Sequence, residues 1–403
     1  MSRPLIARND DLRRLRDEGY EIEVSHGYVL VHVPYVDSNA TIRIGTLACA
    51  FTERQPGVLA RPNDHTALWA GAPPCHRNGE LMVGIKASDV RTQIRPGLVA
   101  TIHLSNKPRV EGGRYVEPDY YEKFKRYIGI ICAPAESLDA TVRAATNRTV
   151  PVTDDDAPFV YTDTASSRAG INAVSDKLKP LTIAIVGLGG TGAYVLDFVA
   201  KTPVKEIRLF DDDPFYSHNA FRAPGAASLS DLEVKPTKVG YLAAQYGKMH
   251  KHIKAHDVRI EAATLHLLDG VDFVFICVDD GESRRVIIER LVARSTPFID
   301  AGIGVNLVEE TASLVGTVRV TTASAEKRDH VLGGKRIPVA PRAPDDDYRR
   351  NIQIADLNAL NAVLAVIRWK KLFGVYRDGE REHHSTYTID CNLLTSDEQP
   401  DAA

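Results

Sequence analysis

Two rhythms of apolar and polar positions divide the chain. Up to about residue 145, short apolar stretches alternate with polar ones and turn residues break them often, which predicts a mixed α+β region. Asn9 or Asp10 can cap a short helix that stops at Gly19. A hairpin is expected next: 21–24, a His26-Gly27 turn, then 28–33 closed by Pro34. Residues 41–51 read as another strand, and 54–80, rich in Pro and Gly, as loop. Strands are expected at 98–104 and 127–132, with a helix around 120–125 between them. Residues 146–167 are small, polar and acidic, and predict a linker.

From about residue 168 strands and helices alternate. Expected strands are 181–186, 206–210, 258–261 and 271–278, with an extended piece at 298–300. Two further strands, 304–308 and 313–320, read as antiparallel. Helices are expected at 191–201, 238–249 and 283–294. This order predicts a doubly wound α/β unit with a parallel core. Residues 321–350 form a long charged, Pro-rich connection. Residues 352–372 predict a helix that is apolar almost all round, suited equally to a core and to a subunit interface. The expected division is an α+β domain at 1–150, a linker at 151–165 and an α/β domain at 166–403.

Composition narrows the function. With 50 basic and 53 acidic residues the chain carries a net charge of −3, which argues against a nucleic-acid clamp. No run is apolar enough to span a membrane, and the charged N-terminus has no signal-peptide core. The five cysteines, Cys49, Cys75, Cys132, Cys277 and Cys391, are scattered without C-x-x-C spacing. Neither a disulfide framework nor a structural zinc is expected, and a reducing cytoplasm is the default compartment. Cys49, Cys132 and Cys277 read as core, and Cys75 and Cys391 as the two exposed thiols.

The chemistry starts at residues 182–192, TIAIVGLGGTG. A strand ends at Val186, and Gly187, Gly189, Gly190 and Gly192 form a G-x-G-x-x-G turn opening a helix. Such a turn lets a phosphate approach the backbone at a helix N-terminus. Asp211 ends the next strand, where an acid holds ribose hydroxyls. An NAD(P)-dependent oxidoreductase shares this fingerprint. It has little use, however, for four more residues: Asn219, Arg222, Lys238, and Asp279 at the end of the next apolar strand. A triphosphate with Mg²⁺ uses all of these, since cations and amides hold phosphates and a carboxylate holds the metal. Asp212 and Asp280 read as solvated neighbours, and Arg284 and Arg285 as helix-surface charges.

GLGGTG, D-x-D-x-x-x-x-x-N-x-x-R, the later Lys and the C-x-D segment resemble the ThiF/MoeB/ubiquitin-activating (E1-like) adenylyltransferase superfamily, over roughly residues 168–369. The resemblance implies ATP-dependent adenylation of a C-terminal glycine carboxylate on a ubiquitin-like or sulfur-carrier protein. It implies Asp211 as the ribose acid, with Asp213 as a second carboxylate beside it. Asn219, Arg222 and Lys238 are implied as triphosphate ligands and Asp279 as the Mg²⁺ ligand. Arg168 stands where the family's N-terminal arginine reaches the partner subunit's ATP, which implies a homodimer. Three positions depart from the pattern: Ala223 replaces a usual Gln, Asp280 an Asn, and Lys235 a Gly.

The connection at 321–350 has no cysteine, so the simplest mechanism stops at the acyl-adenylate; a hydroxyl acceptor there, such as Thr321, Thr322 or Ser324, is the lesser alternative. Residues 1–150 resemble a domain that accompanies ThiF-like domains in bacterial ubiquitin-like conjugation operons. A protein-binding role is expected for it, docking the carrier or a conjugating (E2-like) partner.

Overall fold

The structure is a computed structural model and describes residues 5, 6, 8–109, 115–147, 158–161, 163, 165, 166, 169, 171–333, 336–339 and 352–397. The chain forms two compact units, Met1–Val150 with Ser167–Ala169, and Pro151–Ser166 with Gly170–Ala403.

In the first unit helix α1 (Asp10–Asp17) precedes strands β1 (Glu21–Ser25), β2 (Tyr28–Val36) and β3 (Ile42–Ala50). Two short strands, β4 (Glu53–Gln55) and β5 (Val58–Leu59), pair with each other. Strands β6 (Thr66–Ala70), β7 (Lys86–Arg95) and β8 (Leu98–Ser105) follow, then helix α2 (Tyr120–Leu138). The six-stranded antiparallel sheet has the order β1-β2-β3-β6-β8-β7. Alternation along β2 sends Val29, Val31 and Val33 into a core with Leu12, Trp69, Phe124 and Tyr127, while Leu30 faces a second cluster with Ala48 and Ala100.

Several expectations change here. Pro34 does not close the hairpin, because β1 pairs only as far as His32. Pro34 lies between that pairing and the bridge of Val36 to Cys75, so its missing N–H removes no bond to β1. Residues 127–132 are helical, not a strand. Asp119 caps α2 by accepting from Glu122 N at 2.8 Å. Tyr120, Phe124, Tyr127, Ile128 and Ile131 then fall on one buried face, so tertiary burial overrides the strand preference of Ile-rich residues. Within 54–80, β6 is a central strand.

The second unit holds β9 (Thr182–Val186), α3 (Thr191–Val199), β10 (Glu206–Phe210), α4 (Lys238–Tyr246), β11 (Ile253–His256), β12 (Phe273–Ile276) and α5 (Gly281–Ala293). It continues with β13 (Phe298–Val308), β14 (Ser313–Ala323), α6 (Ala355–Leu372), β15 (His384–Thr388) and β16 (Leu393–Ser396). The sheet order is β11-β10-β9-β12-β13-β14-β15-β16, parallel through β13 and antiparallel after it. Both faces of β9 are covered: Ile183 and Ile185 pack in the cluster that holds α6, Ala184 and Val186 in the one that holds α5. The expected strand at 258–261 is instead β11, and the pieces at 298–300 and 304–308 are one continuous strand. Helix α6 is a core helix that packs on α3, β13 and β14 and buries Ala362, Ala365, Val366 and Trp369. Of the expected linker, residues 158–161 pair with the second unit, where Phe159 bridges His250. No helix among the described residues is long and apolar enough to cross a membrane.

Candidate nucleotide site

Strands β9, β10 and β12 end at one edge of the sheet, β13 runs on past it, and a cavity of about 490 Å³ opens there. The glycine loop forms one wall, and its glycines differ in what they allow. Gly187 has φ +87°, and a Cβ on it would meet Cys277 O at 2.7 Å. On Gly192 a Cβ would lie 1.9 Å from Gly187 O, and on Gly190 2.1 Å from Asn358 Nδ2. Gly189 faces open space, its nearest neighbour being Gln353 Oε1 at 3.9 Å. A ligand therefore has access at Gly189, while the other three glycines let the loop close on the fold. Gly190 caps α3 without any side-chain bond, so the first amides of that helix carry no side-chain cap.

Asp211, buried at the end of β10, fixes the loop from the other side. Its Oδ2 accepts from Leu188 N at 2.6 Å, and its Oδ1 from Asp213 N at 3.0 Å. Lys238, the first residue of α4, reaches back to both acids: Nζ is 2.6 Å from Asp213 Oδ2 and 3.2 Å from Asp211 Oδ1. Arg222 is half-buried in the same wall. Burial lowers its pKa, and the charges of Asp279, Asp213 and Asp211 work in the opposite direction. Asp279, exposed, lines the cavity just beyond β12.

The cavity thus brings together Gly187, Gly189, Gly190, Asp211, Asp213, Arg222, Lys238 and Asp279. Gly192 lies under the loop. Asn219 is fully buried outside the lining: its Oδ1 accepts from Tyr216 N at 2.8 Å, and its Nδ2 has no partner. Arg168 lies outside the described residues. Asp280 is a helix cap rather than a solvated neighbour, accepting from Ser283 N at 2.8 Å. Asp212 pairs with Arg259, with 3.4 Å between Nε and Oδ2.

Arg284 is not a surface charge. Its guanidinium is buried and donates to Val278 O and Pro338 O, with Nε 3.0 Å from Asp300 Oδ2. Asp300, fully buried, also takes Arg319, which donates onward to Thr321 Oγ1 at 2.7 Å. One carboxylate shared by two guanidiniums leaves a positive charge in the cavity wall. Two asparagines on α6 also escape a reading of the sequence. Asn358 and Asn361 are fully buried one helical turn apart; Asn358 Oδ1 accepts from Thr191 Oγ1 at 2.9 Å, and Asn361 Nδ2 donates to Gly302 O at 3.0 Å. Polar residues in an apolar helix were the available signal; that Asn358 lines the cavity, and that Asn361 holds Gly302, is a matter of tertiary structure.

The thiols are poorly placed for chemistry. Cys75 is buried, contrary to expectation, and its Sγ contacts Pro73 O at 3.3 Å. Burial, with Asp37 nearby, raises its pKa. Burial pushes the Cys49 thiol to about 11 and Cys132 to about 12, and also raises Cys277, which lines the cavity. Cys391 is exposed. Thr321 and Thr322 are buried, and Ser324 Oγ meets His383 Nε2 at 3.0 Å.

For a metal, the donor set is hard oxygen. Asp279 and Asp213 present carboxylates to the cavity, as Mg²⁺ requires. Among the described residues the only cluster of His, Cys, Asp or Glu close enough to hold an ion is Asp211, Asp212 and Asp213.

A parallel sheet with helices on both faces and a glycine loop at its carboxyl edge defines a Rossmann-like nucleotide-binding domain. Residues 164–356 match the ThiF family, and this part of the chain belongs to the ThiF/E1-like superfamily. Residues 10–164 match a domain of unknown function, DUF6791. Ubiquitin-like modifier-activating enzyme 5 of Culex quinquefasciatus is 26% identical over 155 residues, covering 36% of this chain and 39% of that protein. The Gallus gallus enzyme of the same name is 26% identical over 187 residues, covering 44% and 47%. The chain therefore spans less than half the length of these curated relatives. Similar solved structures include E. coli MccB with ATP, at 20% identity and TM-score 0.41 over 56% of this chain and 65% of that one. PaaA matches at 17% identity and TM-score 0.45, over 56% and 75%.

Proposed function

We propose that the protein is an ATP-dependent adenylyltransferase that activates the C-terminal glycine carboxylate of a ubiquitin-like protein. The observation that carries this reading is the convergence of the open Gly189 wall, Arg222, Lys238 and Asp279 in one cavity. The carboxylate attacks the α-phosphate, and pyrophosphate leaves. A carboxylate is already ionised, so the chain's work is alignment and stabilisation of phosphate charge rather than proton removal. Asp211 holds the ribose; Arg222 and Lys238 bind phosphate oxygens, Lys238 by turning from its two carboxylates. Asn219 turns its unpartnered Nδ2 toward the phosphates.

Beside the glycine loop, Arg222 and Lys238 face the carboxylates of Asp211, Asp213 and Asp279. These three carboxylates would repel phosphate oxygens at that side of the cavity, which supports entry of the triphosphate with Mg²⁺ held at Asp279. The metal supplies charge neutralisation of the phosphates. The matched relatives are named for activating ubiquitin-like modifiers, which favours that carrier class over the sulfur carriers of cofactor biosynthesis. The absence of a cysteine in 321–350 supports stopping at the acyl-adenylate, with an E2-like partner taking the acyl group. A homodimer, with Arg168 of one protomer reaching its partner's site, completes the reading; the exposed Phe221, Leu229 and Val234 offer apolar surface for it.

The test is ATP–pyrophosphate exchange with glycine-ended carrier proteins. Exchange that depends on the terminal glycine supports the reading. Tight ATP binding without exchange for every carrier would sink it, and hydride transfer with NAD(P) would replace it with an oxidoreductase.

A further inference from the structure

Asn358 sits in the first turn of α6, fully buried in a helix whose other buried positions are mostly apolar. Its Oδ1 accepts from Thr191 Oγ1 at 2.9 Å, and Thr191 is the first residue of α3. In this arrangement Oδ1 meets the hydroxyl and the other end of the amide faces the glycine loop. Nδ2 is the end left over: it is buried, has no hydrogen-bond partner, and lies so close to the loop that a Cβ on Gly190 would be 2.1 Å away. Gly190, Thr191 and Asn358 all line the cavity.

We propose that Asn358 Nδ2 is a ligand for a phosphate oxygen of the bound nucleotide and that Thr191 holds it in place. The inference rests on the ATP reading of this cavity. A leucine would fill the same space without stranding a donor, so the amide is explained by an acceptor that arrives from outside. The first amides of α3 lack side-chain caps and attract an anion to the same spot. A small adjustment of the loop at Gly189, which has free space beside it, brings that anion within reach of Nδ2.

The test is isothermal titration of the full chain with Mg·ATP and separately with adenosine. Asn358→Asp keeps the size of the side chain and can still accept from Thr191, but it presents an oxygen to the phosphates. ATP affinity is expected to fall roughly 10- to 100-fold, with adenosine affinity unchanged. Thr191→Val is expected to weaken ATP alone by a smaller factor, and Thr191→Ser to restore most of it. If Asn358→Asp does not fold, the Thr191 pair decides. Wild-type ATP affinity in Asn358→Asp, or in Thr191→Val where that pair decides, overturns the proposal and leaves the ATP reading standing. Equal losses for ATP and adenosine assign Asn358 to the shape of the pocket and also overturn it. A wild-type chain that binds no nucleotide removes the ATP reading, and this inference with it.

Discussion

In the first unit the buried charges mostly close on one another, although Arg95 Nε and Arg126 Nε have no hydrogen-bond partner. Glu117, with no exposed side-chain surface, is held by two nitrogens of Arg126. Lys123 donates to Asp64 O at 2.9 Å, and Tyr127 Oη to His65 O at 2.6 Å. In the second unit, two cavity-lining residues have buried polar atoms without partners, Arg222 Nε and Asn358 Nδ2, and Asn219 Nδ2, outside the lining, is a third. An unpaired buried donor costs about 1–3 kcal/mol. A bound ligand or water would satisfy donors that line a cavity. The contrast supports placing the proposed chemistry in the second unit, where the open donors line a cavity.

The largest expected effect breaks the open side of this contrast. Asp279→Ala removes an exposed carboxylate that lies outside the apolar core, so the thermal midpoint should hold while carrier-dependent pyrophosphate exchange falls on the order of 10³-fold. Wild-type exchange would remove Asp279 from the metal site.

Next comes the closed side. Glu117→Ala strands Arg126, whose side chain is 16% exposed, and should cost about 3–5 kcal/mol of first-unit stability. The two tryptophans separate the readouts, since Trp69 lies in the first core and Trp369 in the second. With Trp369→Phe as background, the Trp69 transition in urea should shift while ATP affinity stays put. Unchanged first-unit stability would show that the pair is dispensable.

His250 tests whether a closed polar group in the second unit behaves like those of the first. It is fully buried, with Nε2 donating to Val204 O at 3.0 Å and Nδ1 accepting from His252 N at 3.3 Å. Burial, aided by His252, pushes its pKa down to about 4. The unfolded chain takes up this proton near pH ~6.5 and the folded chain does not. The stabilisation is therefore present above pH ~6.5 and is lost as the pH falls toward 4, by on the order of 3 kcal/mol. Urea midpoints from pH 7 to 4.5 should show the decline, and His250→Gln should flatten it. A wild-type profile as flat as the variant's would argue against a buried neutral imidazole.

The same contrast explains what could be read from the sequence. The glycine loop, Asp211 and the strands of the parallel core were legible because periodicity and local turn chemistry specify them. The α/β order was legible for the same reason. Strand β6 was hidden among Pro and Gly, and β7, an edge strand with many exposed positions, lacks an apolar face. Arg284 resembled any helix arginine, because Val278 O, Pro338 O and Asp300 meet it only in the fold. Asn358 and Asn361 were invisible as site residues for the same reason. Local patterns reveal the loop that binds, but not the distant helix that backs it.

The smallest expected effect compares the starts of two helices. The first amides of α2 are met by two carboxylates: Asp119 accepts from Glu122 N at 2.8 Å, and Asp11 from Tyr120 N at 3.0 Å. Those of α3 carry no side-chain cap, because Gly190 has none to offer. If an open helix start is reserved for a ligand, closing or opening a start should matter differently in the two units. Asp119→Ala should lower first-unit stability by about 1 kcal/mol, since Asp11 still serves one amide, and Asp119→Asn should recover most of that loss. Neither change should alter ATP affinity. Gly190→Ser, by contrast, places a Cβ against the Asn358 amide and a hydroxyl beside the amides of α3. It should weaken ATP binding, and it should also lower the urea midpoint reported by Trp369, because the buried Asn358 must shift to make room. A loss of stability in Gly190→Ser with ATP affinity intact would mean that the start of α3 is merely uncapped and not kept open for phosphate.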